Sequence, residues 1–282
     1  MRAANLVIIG APRSGTNMLR DLVCRLDGCA TWPCDEINFI WKHGNLDWPT
    51  DELPVTRATS DVARYIQGRF MRLRRRTGAA TVVEKTCANS LRVAFVDRVL
   101  PDARYVFIVR NGYDAIASAL VRWRAAADVA YLAKKARFVP WLDLPYYARQ
   151  FAFNRLHRLV SATGRVAIWG PRFEGIYEQL RISTLEEVCA EQWCRCVLSA
   201  EQAFAELEPQ RVLRLHYEHV VADPAASIRL LAEFIGCEGQ APRALDWIRS
   251  DAIGKGRNTL ASEVRASLDP LVRPVLARYG YV

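Results

Sequence analysis

No apolar run in this 282-residue chain approaches the ~20 residues that a membrane-spanning helix needs, so a transmembrane protein is not expected. The opening MRAANLVIIGAPRSG has an apolar stretch only from Leu6 to Ile9. That is shorter than the ~7–15 residues of a secretion signal, and a glycine-containing loop follows it. No C-x-x-C pair occurs among the eight cysteines (Cys24, Cys29, Cys34, Cys87, Cys189, Cys194, Cys196, Cys237), and their spacings match no usual zinc site. Several fall inside apolar helical patterns, where a thiol behaves as a small hydrophobe. Reduced thiols in a cytoplasmic enzyme are therefore expected, not disulfides. The four histidines (His43, His157, His216, His219) show no metal spacing, and neither H-E-x-x-H nor a nucleophile elbow is present. Repeats, low-complexity tracts and linkers are also missing, which predicts a single domain over residues 1–282.

What is present is a large apolar fraction, 51%, enough for a sizeable core. Lys and Arg number 39 against 30 Asp and Glu, a net charge of +9. Such a balance favours an anionic partner: nucleic acid, an acidic membrane surface, an acidic substrate or a phosphorylated cofactor. No nucleic-acid recognition motif accompanies the charge, so nucleic acid is not expected. The run Arg72, Arg74, Arg75, Arg76 reads as a solvated helix face.

Strands and helices alternate along the chain. Asn5 to Ile9 reads as a short buried strand; from Thr16 the apolar positions Met18, Leu19, Leu22, Val23 and Leu26 recur at helical spacing. Thr81 to Glu84 is a strand and Leu91 to Leu100 a helix; Arg104 to Val109 is a strong strand and Tyr113 to Trp123 a helix. After a strand at Arg211 to Leu215, Asp223 caps a helix that has Pro224 in its first turn and stops at Gly236. Ser183 to Leu207 reads as a long helix, with Ser183 and Glu186 spaced as a capping box. The pattern predicts an α/β fold: a three-layer sandwich with a central parallel sheet flanked by helices, of P-loop NTPase-like type. The stretch of about 124–182, with Trp141, Tyr146, Tyr147, Phe151 and Trp169, breaks the rhythm and reads as a helical insertion, an acceptor-site cap.

Gly10-Ala11-Pro12-Arg13-Ser14-Gly15-Thr16-Asn17 lies between a strand and a helix, where backbone amides and a helix N-terminus cradle an anion. The glycine spacing is that of the nucleotide phosphate loop G-x-x-x-x-G-K-[ST], but Thr16 replaces the lysine and Asn17 the metal-binding hydroxyl residue. Such a loop can grip a phosphate yet is poorly equipped for metal-assisted γ-phosphoryl transfer. Arg13 returns a positive charge to it. This suits a donor with a 5′-phosphate leaving group and no metal requirement.

GAPRSGTNML resembles the 5′-phosphosulfate loop of the sulfotransferases that use 3′-phosphoadenosine 5′-phosphosulfate (PAPS), in the PRSGT form of tyrosylprotein and many bacterial members. VFIVRNGYDAIAS (Val106 to Ser118) is similar to the family's 3′-phosphate site, with Arg110 and Ser118 in the matching places. Val212 to Gly236 resembles the Y-E-x-L-x-x-x-P segment and its helix, and Ile253 to Leu260 the late basic loop that closes over the nucleotide. The chain departs from the pattern at Cys87, where E-K-T-P has its proline, and in the late loop, Lys255-Gly256-Arg257. Either Lys255 or Arg257 is then the 3′-phosphate contact.

The resemblance implies sulfuryl transfer from PAPS to a hydroxyl or amine by in-line displacement, with no metal. Arg13, Ser14, Gly15, Thr16, Asn17, Arg110, Ser118, Tyr217, Lys255, Gly256 and Arg257 are expected to hold the nucleotide. Arg110 can form the bidentate phosphate contact that lysine cannot. Tyr217 is either near the nucleotide or a core tyrosine at a strand end. Arg13 and Lys85 are the cations for the transferring group. Glu36, 20 residues after Thr16, is the expected general base, with Asp35 as the alternative. The acceptor is expected to be a glycan or small molecule, a carbohydrate hydroxyl before a phenol or peptide tyrosine. Trp41, Trp48, Trp141 and Tyr146 are either its stacking surfaces or core. The competing readings are a nucleotide kinase or NTPase with a degenerate loop and a non-catalytic anion or nucleic-acid binder.

Overall fold

A computed structural model of the chain describes residues 4–125, 137–160, 166–237, 245, 247–248 and 253–282, with the backbone alone for 158–160, 255 and 257. Five strands form one parallel sheet: β1 (Ala4–Ile9), β2 (Cys29–Ala30), β3 (Thr81–Lys85), β4 (Arg104–Val109) and β5 (Val212–His216), in the order β2-β3-β1-β4-β5. β1 is central, with Ile8 opposite both Lys85 and Val106. It is buried on both faces, which is why it reads as a continuous apolar run.

Alternate strand residues feed two cores. Val7, Ile9, Val82, Tyr105, Phe107 and Val109 enter the larger one; Leu6, Ile8, Val83, Val106 and Ile108 enter the smaller. The helices are α1 (Thr16–Val23), α2 (Asn38–Trp41), α3 (Ser60–Thr77), α4 (Val93–Val99), α5 (Gly112–Arg124), α6 (Leu144–Val160), α7 (Ile176–Ile182), α8 (Leu185–Phe204), α9 (Tyr217–Ala222), α10 (Pro224–Ile235), α11 (Lys255–Thr259) and α12 (Ser262–Arg278). α5, α8 and α12 cover the larger core, α1 and α10 the smaller. The expected three layers are present.

Local chemistry sets most element ends. Thr59 Oγ1 accepts from the Val62 amide at the start of α3, and Gly78 closes it at φ 68°. Asp223 caps α10 and Gly236 ends it at φ 74°, as its sequence predicts. The capping box of α8 lies one residue later than expected, on Thr184 and Glu187. Ser183 is instead the C-cap of α7, its amide donating to Gln179 O at 2.8 Å. Arg74 is not solvated as expected: its guanidinium donates to Ala4 O at 2.7 Å and Asn5 Oδ1 at 3.0 Å, tying α3 to β1. All eight cysteines are free, six of them buried. The stretch 124–182 contains α6 and α7; residues 126–136 and 161–165 lie outside the described set.

Candidate active site

The C-terminal ends of β1, β3 and β4, with the residue that follows β5, converge on one cleft of about 800 Å³. From β1 the chain passes to β2 and β3 on one side, then crosses to β4 on the other. Open α/β sheets bind ligands in the crevice at such a reversal.

The loop Gly10–Gly15 forms the floor. A Cβ on Gly10 would lie 2.7 Å from Ile108 O, so the loop can leave the sheet closely only with glycine there. Arg13 has φ 69°, the one non-glycine residue with positive φ among the described residues. Two contacts hold it in that conformation. Its carbonyl accepts from Arg110 Nη1 at 3.0 Å, beyond β4, and its Nε donates to Ser118 Oγ at 2.9 Å, on α5. Burial, then the neighbouring Arg122 and Arg110, lower the Arg13 pKa, so its charge is under stress. Two polar atoms of the loop region, Ser14 Oγ and Asn17 Oδ1, are buried without a hydrogen-bond partner. Asn17 lines the cleft, as do Arg13, Gly15 and Thr16; Ser14 does not.

Tyr217 is both a core residue and a cleft residue. It is buried, lines the cleft, and packs so tightly on Gly15 that a Cβ there would lie 2.3 Å from its ring. The Arg110 guanidinium lies 4.4 Å above the same ring. Arg110 also faces Asp114 Oδ2 at 3.8 Å, one helical turn on. Asp114 in turn accepts the amides of Gly254 at 2.8 Å and Gly256 at 2.6 Å, which docks α11 against the first turn of α5. A Cβ on Gly256 would lie 2.3 Å from Tyr113 O. The Lys255 and Arg257 side chains lie outside the described residues.

The strand end is clamped from a distant part of the chain. Glu218 Oε1 accepts the Asn111 amide at 3.1 Å, while Tyr281 OH donates to Glu218 Oε2 at 2.5 Å. Tyr281 OH also lies 3.3 Å from Val109 O.

The opposite wall carries the carboxylate. Glu36 Oε1 lies 3.0 Å from Lys85 Nζ and accepts the Cys87 amide at 3.2 Å. A proline at 87 has no amide hydrogen, so this contact depends on the departure from E-K-T-P. Burial works against the Lys85 charge, but Glu36 outweighs it and raises the pKa above the usual lysine value. Asp35 also lines the cleft, but its carboxylate faces Arg20 at 3.6 Å.

Behind this pair lies a fully buried carboxyl that sequence reading missed. Glu84 accepts from Thr86 Oγ1 at 2.6 Å, Trp41 Nε1 at 3.1 Å and Asn89 Nδ2 at 3.0 Å. Thr86 Oγ1 accepts the Ile37 amide at 3.2 Å, next to Glu36. Burial pushes Glu84 up to about 7, against these donors and the charges of Lys85 and Arg92. Trp41 is therefore core, not an acceptor surface. Trp48 is half-buried and donates to Glu52 O, Trp141 is exposed, and neither they nor Tyr146 line the cleft.

The remaining wall comes from the insertion and the segment before α3: Asn38, Asp51, Gln150, Asn154, Trp169 and Arg172. Asp51 ties the two together, accepting the Arg172 amide at 2.8 Å and Asn38 Nδ2 at 3.1 Å. None of these residues belongs to a motif. The i,i+4 spacing of Arg110 and Asp114 was the signal that could have revealed Asp114. Among the described residues, no group of three or more His, Cys, Asp or Glu is arranged to hold a metal ion.

The sulfotransferase domain family matches residues 4–253. The chain belongs to that family. Curated relatives include the omega-hydroxy-beta-dihydromenaquinone-9 sulfotransferases Stf3 of Mycobacterium bovis and Mycobacterium tuberculosis. Each is 24% identical over 234 residues, 82% of this chain and 47% of the relative. The chain thus spans about half the length of the curated relatives it matches. Among solved structures, the sulfotransferase domain from the curacin biosynthetic pathway aligns with TM-score 0.56 at 12% identity, over 100% of this chain and 99% of that one. The sulfotransferase domain of the Synechococcus PCC 7002 olefin synthase aligns with TM-score 0.52 at 14% identity, over 97% and 95%. These likenesses agree with the parallel-sheet fold.

Proposed function

We propose that the protein transfers a sulfuryl group from PAPS to a hydroxyl or amine of its acceptor. The observation that carries this is the placing of Glu36, Lys85 and Arg13 on one cleft, over a phosphate loop that has Thr16 where a kinase has lysine. The loop amides and Asn17, whose amide nitrogen can donate, receive the 5′-phosphosulfate. Arg110 and Ser118 lie toward the 3′-phosphate, with Tyr217 and Gly256 beside them and Lys255 or Arg257 completing the site.

In the transfer, the acceptor oxygen or nitrogen attacks sulfur as the sulfur–oxygen bond to the 5′-phosphate breaks. The acceptor proton passes to Glu36, and 3′,5′-diphosphoadenosine leaves with the bonding electron pair. Lys85 and Arg13 supply charge to the sulfonate and bridging oxygens, so no step is assigned to a metal. Asp35, held toward Arg20, is the weaker candidate for the base. The polar wall of Asn38, Gln150, Asn154 and Arg172, with Trp169, supports a hydroxyl-bearing glycan or small-molecule acceptor. The free thiols support a reducing, cytoplasmic setting.

Calorimetric titration with 3′,5′-diphosphoadenosine and then with ATP–magnesium tests this reading. Tight binding of the first and weak binding of the second is expected. The reverse order would return the loop to a nucleoside triphosphate and remove the roles given to Glu36 and Lys85.

A further inference from the structure

The insertion presents a surface that the cleft chemistry does not use. Trp141 is 79% exposed, Leu142 71%, Phe153 58% and Leu156 62%; Leu144 and Phe151 are exposed as well. Exposed apolar side chains scattered singly are ordinary, but a cluster of large ones marks a contact surface. On α6, Gln150 and Asn154 face the cleft at i and i+4, while Phe153 and Leu156 lie on the neighbouring, outward row. The apolar surface therefore adjoins the cleft wall.

The charge on this surface has one sign. From Leu144 to Phe173 the sequence has five arginines and no Asp or Glu. Arg137, Arg149 and Arg155 are exposed and stand among the exposed apolar residues in sequence, with Arg149, Phe153 and Leu156 at i, i+4 and i+7 on one face of α6. The one acid in the sequence from Arg137 to Phe173, Asp143, is buried and paired with His43 at 2.8 Å, so it does not offset them. A helix with Phe and Leu on its free face, arginines among them and an exposed Trp beside it has the chemistry of an interfacial helix on an anionic bilayer. No helix among the described residues is long and apolar enough to cross a membrane, which leaves surface docking as the mode.

We infer that Trp141, Leu142, Phe153 and Leu156, with Arg137, Arg149 and Arg155, form a peripheral docking surface for an anionic lipid bilayer, seated beside the mouth of the cleft. The apolar side chains enter the acyl–headgroup boundary and the arginines meet lipid phosphates. This assignment stands apart from the sulfuryl-transfer reading, since it uses none of the residues in that reading.

The test is co-sedimentation of the full chain with vesicles of phosphatidylcholine alone and of phosphatidylcholine with about 30 mol% phosphatidylglycerol. Binding to the anionic vesicles is expected, with roughly hundredfold weaker partition onto the neutral ones, from about three arginines at the surface. The pairs Trp141→Ser/Leu142→Ser and Phe153→Ser/Leu156→Ser should each lower anionic partition by about tenfold or more. Arg149→Glu/Arg155→Glu should lower it as well. Met71→Ser, an exposed apolar change on α3, should leave it unchanged. All these side chains are exposed, and an unchanged circular-dichroism spectrum and thermal melt confirm that each variant is folded. No binding to anionic vesicles would overturn the inference. Anionic binding that is insensitive to both serine pairs would also overturn it, leaving only adsorption by net charge. Inert vesicles, with a light-scattering mass that falls in the serine pairs, would assign the surface to self-association. Inert vesicles with retention of a generic RNA would assign it to nucleic acid.

Discussion

Glu36 shares one carboxylate oxygen with an ammonium and a backbone amide, so a substitution there separates binding from chemistry. Glu36→Gln is expected to keep affinity for 3′,5′-diphosphoadenosine and to lower turnover of labelled PAPS by about 10²–10⁴-fold. Wild-type turnover would remove Glu36 as the base. Arg110→Ala should weaken 3′,5′-diphosphoadenosine by about ten- to a hundredfold, and 5′-AMP far less, because a charge-assisted phosphate contact is worth about 1.5–3 kcal/mol. Equal losses for the two nucleotides would cancel the 3′-phosphate role. Glu84 gives a prediction about pH. Its folded pKa, about 7, lies above the usual carboxylate value, so the native state holds a proton that the unfolded chain has released. Stability from this group is full below the unfolded pKa and falls as pH rises toward 7, by on the order of 3 kcal/mol, then levels off. Thermal melts of Glu84→Gln should lack that decline. At this scale the sequence pointed to Arg13, Arg110, Lys85 and Glu36, which line one cleft: the first three stand in short motifs, and Glu36 follows the first helix. Glu84 and Asp51 were not legible: the full burial of Glu84 shows only in the fold, and Asp51 finds Asn38 and Arg172 only on folding.

Elements tell a similar story with different causes. β4 matches its expected span, since a strand buried on both faces is an unbroken apolar run. The capping box moved by one residue because Ser183 and Thr184 both stand three before a glutamate, and the end of α7 claims the first. β2 is two residues long, too short for any period to show. α12 was missed because Pro270 and Pro274 lie inside it, although Leu268, Val272, Val275 and Leu276 keep the helical spacing of a buried face. The contact between α11 and α5 makes its own prediction. Gly256→Ala places a methyl against Tyr113 O, so α11 must back away from Asp114. A loss of about 1–3 kcal/mol in stability is expected, with weaker nucleotide binding. Unchanged melting and calorimetry would show that α11 does not dock there.

For the molecule as a whole, the sequence yielded the layers and the end of the sheet where the cleft lies, but not the polar wall of Asn38, Asp51, Gln150, Asn154 and Arg172. One wall of the cleft is built from motifs at strand ends, while the other comes from the segment before α3 and from residues 150–172, which Asp51 ties together through the Arg172 amide. The cysteines test the packing of the whole. Burial pushes Cys24, Cys29, Cys87 and Cys194 up to about 12, so few thiolates exist at neutral pH. In native protein, a chromogenic disulfide reagent should react slowly, and first at the half-buried Cys24 and Cys29; the other six should titrate only on unfolding. Rapid reaction of all eight would mean that the two cores are looser than described.

The clamp of Tyr281 on Glu218 and Val109 has a consequence for the order of events in time. The two ends of its contact with Val109 are 172 residues apart in the chain. β4 can pair with β1 as soon as both have been synthesised, but Asn111 and its neighbour Arg110 receive this last support only when Tyr281 arrives. Long closures of this kind form late in folding. A nascent chain thus acquires its sheet before Arg110 is fully supported, and, with the proposed function, recovery of nucleotide affinity on refolding should lag behind recovery of secondary structure.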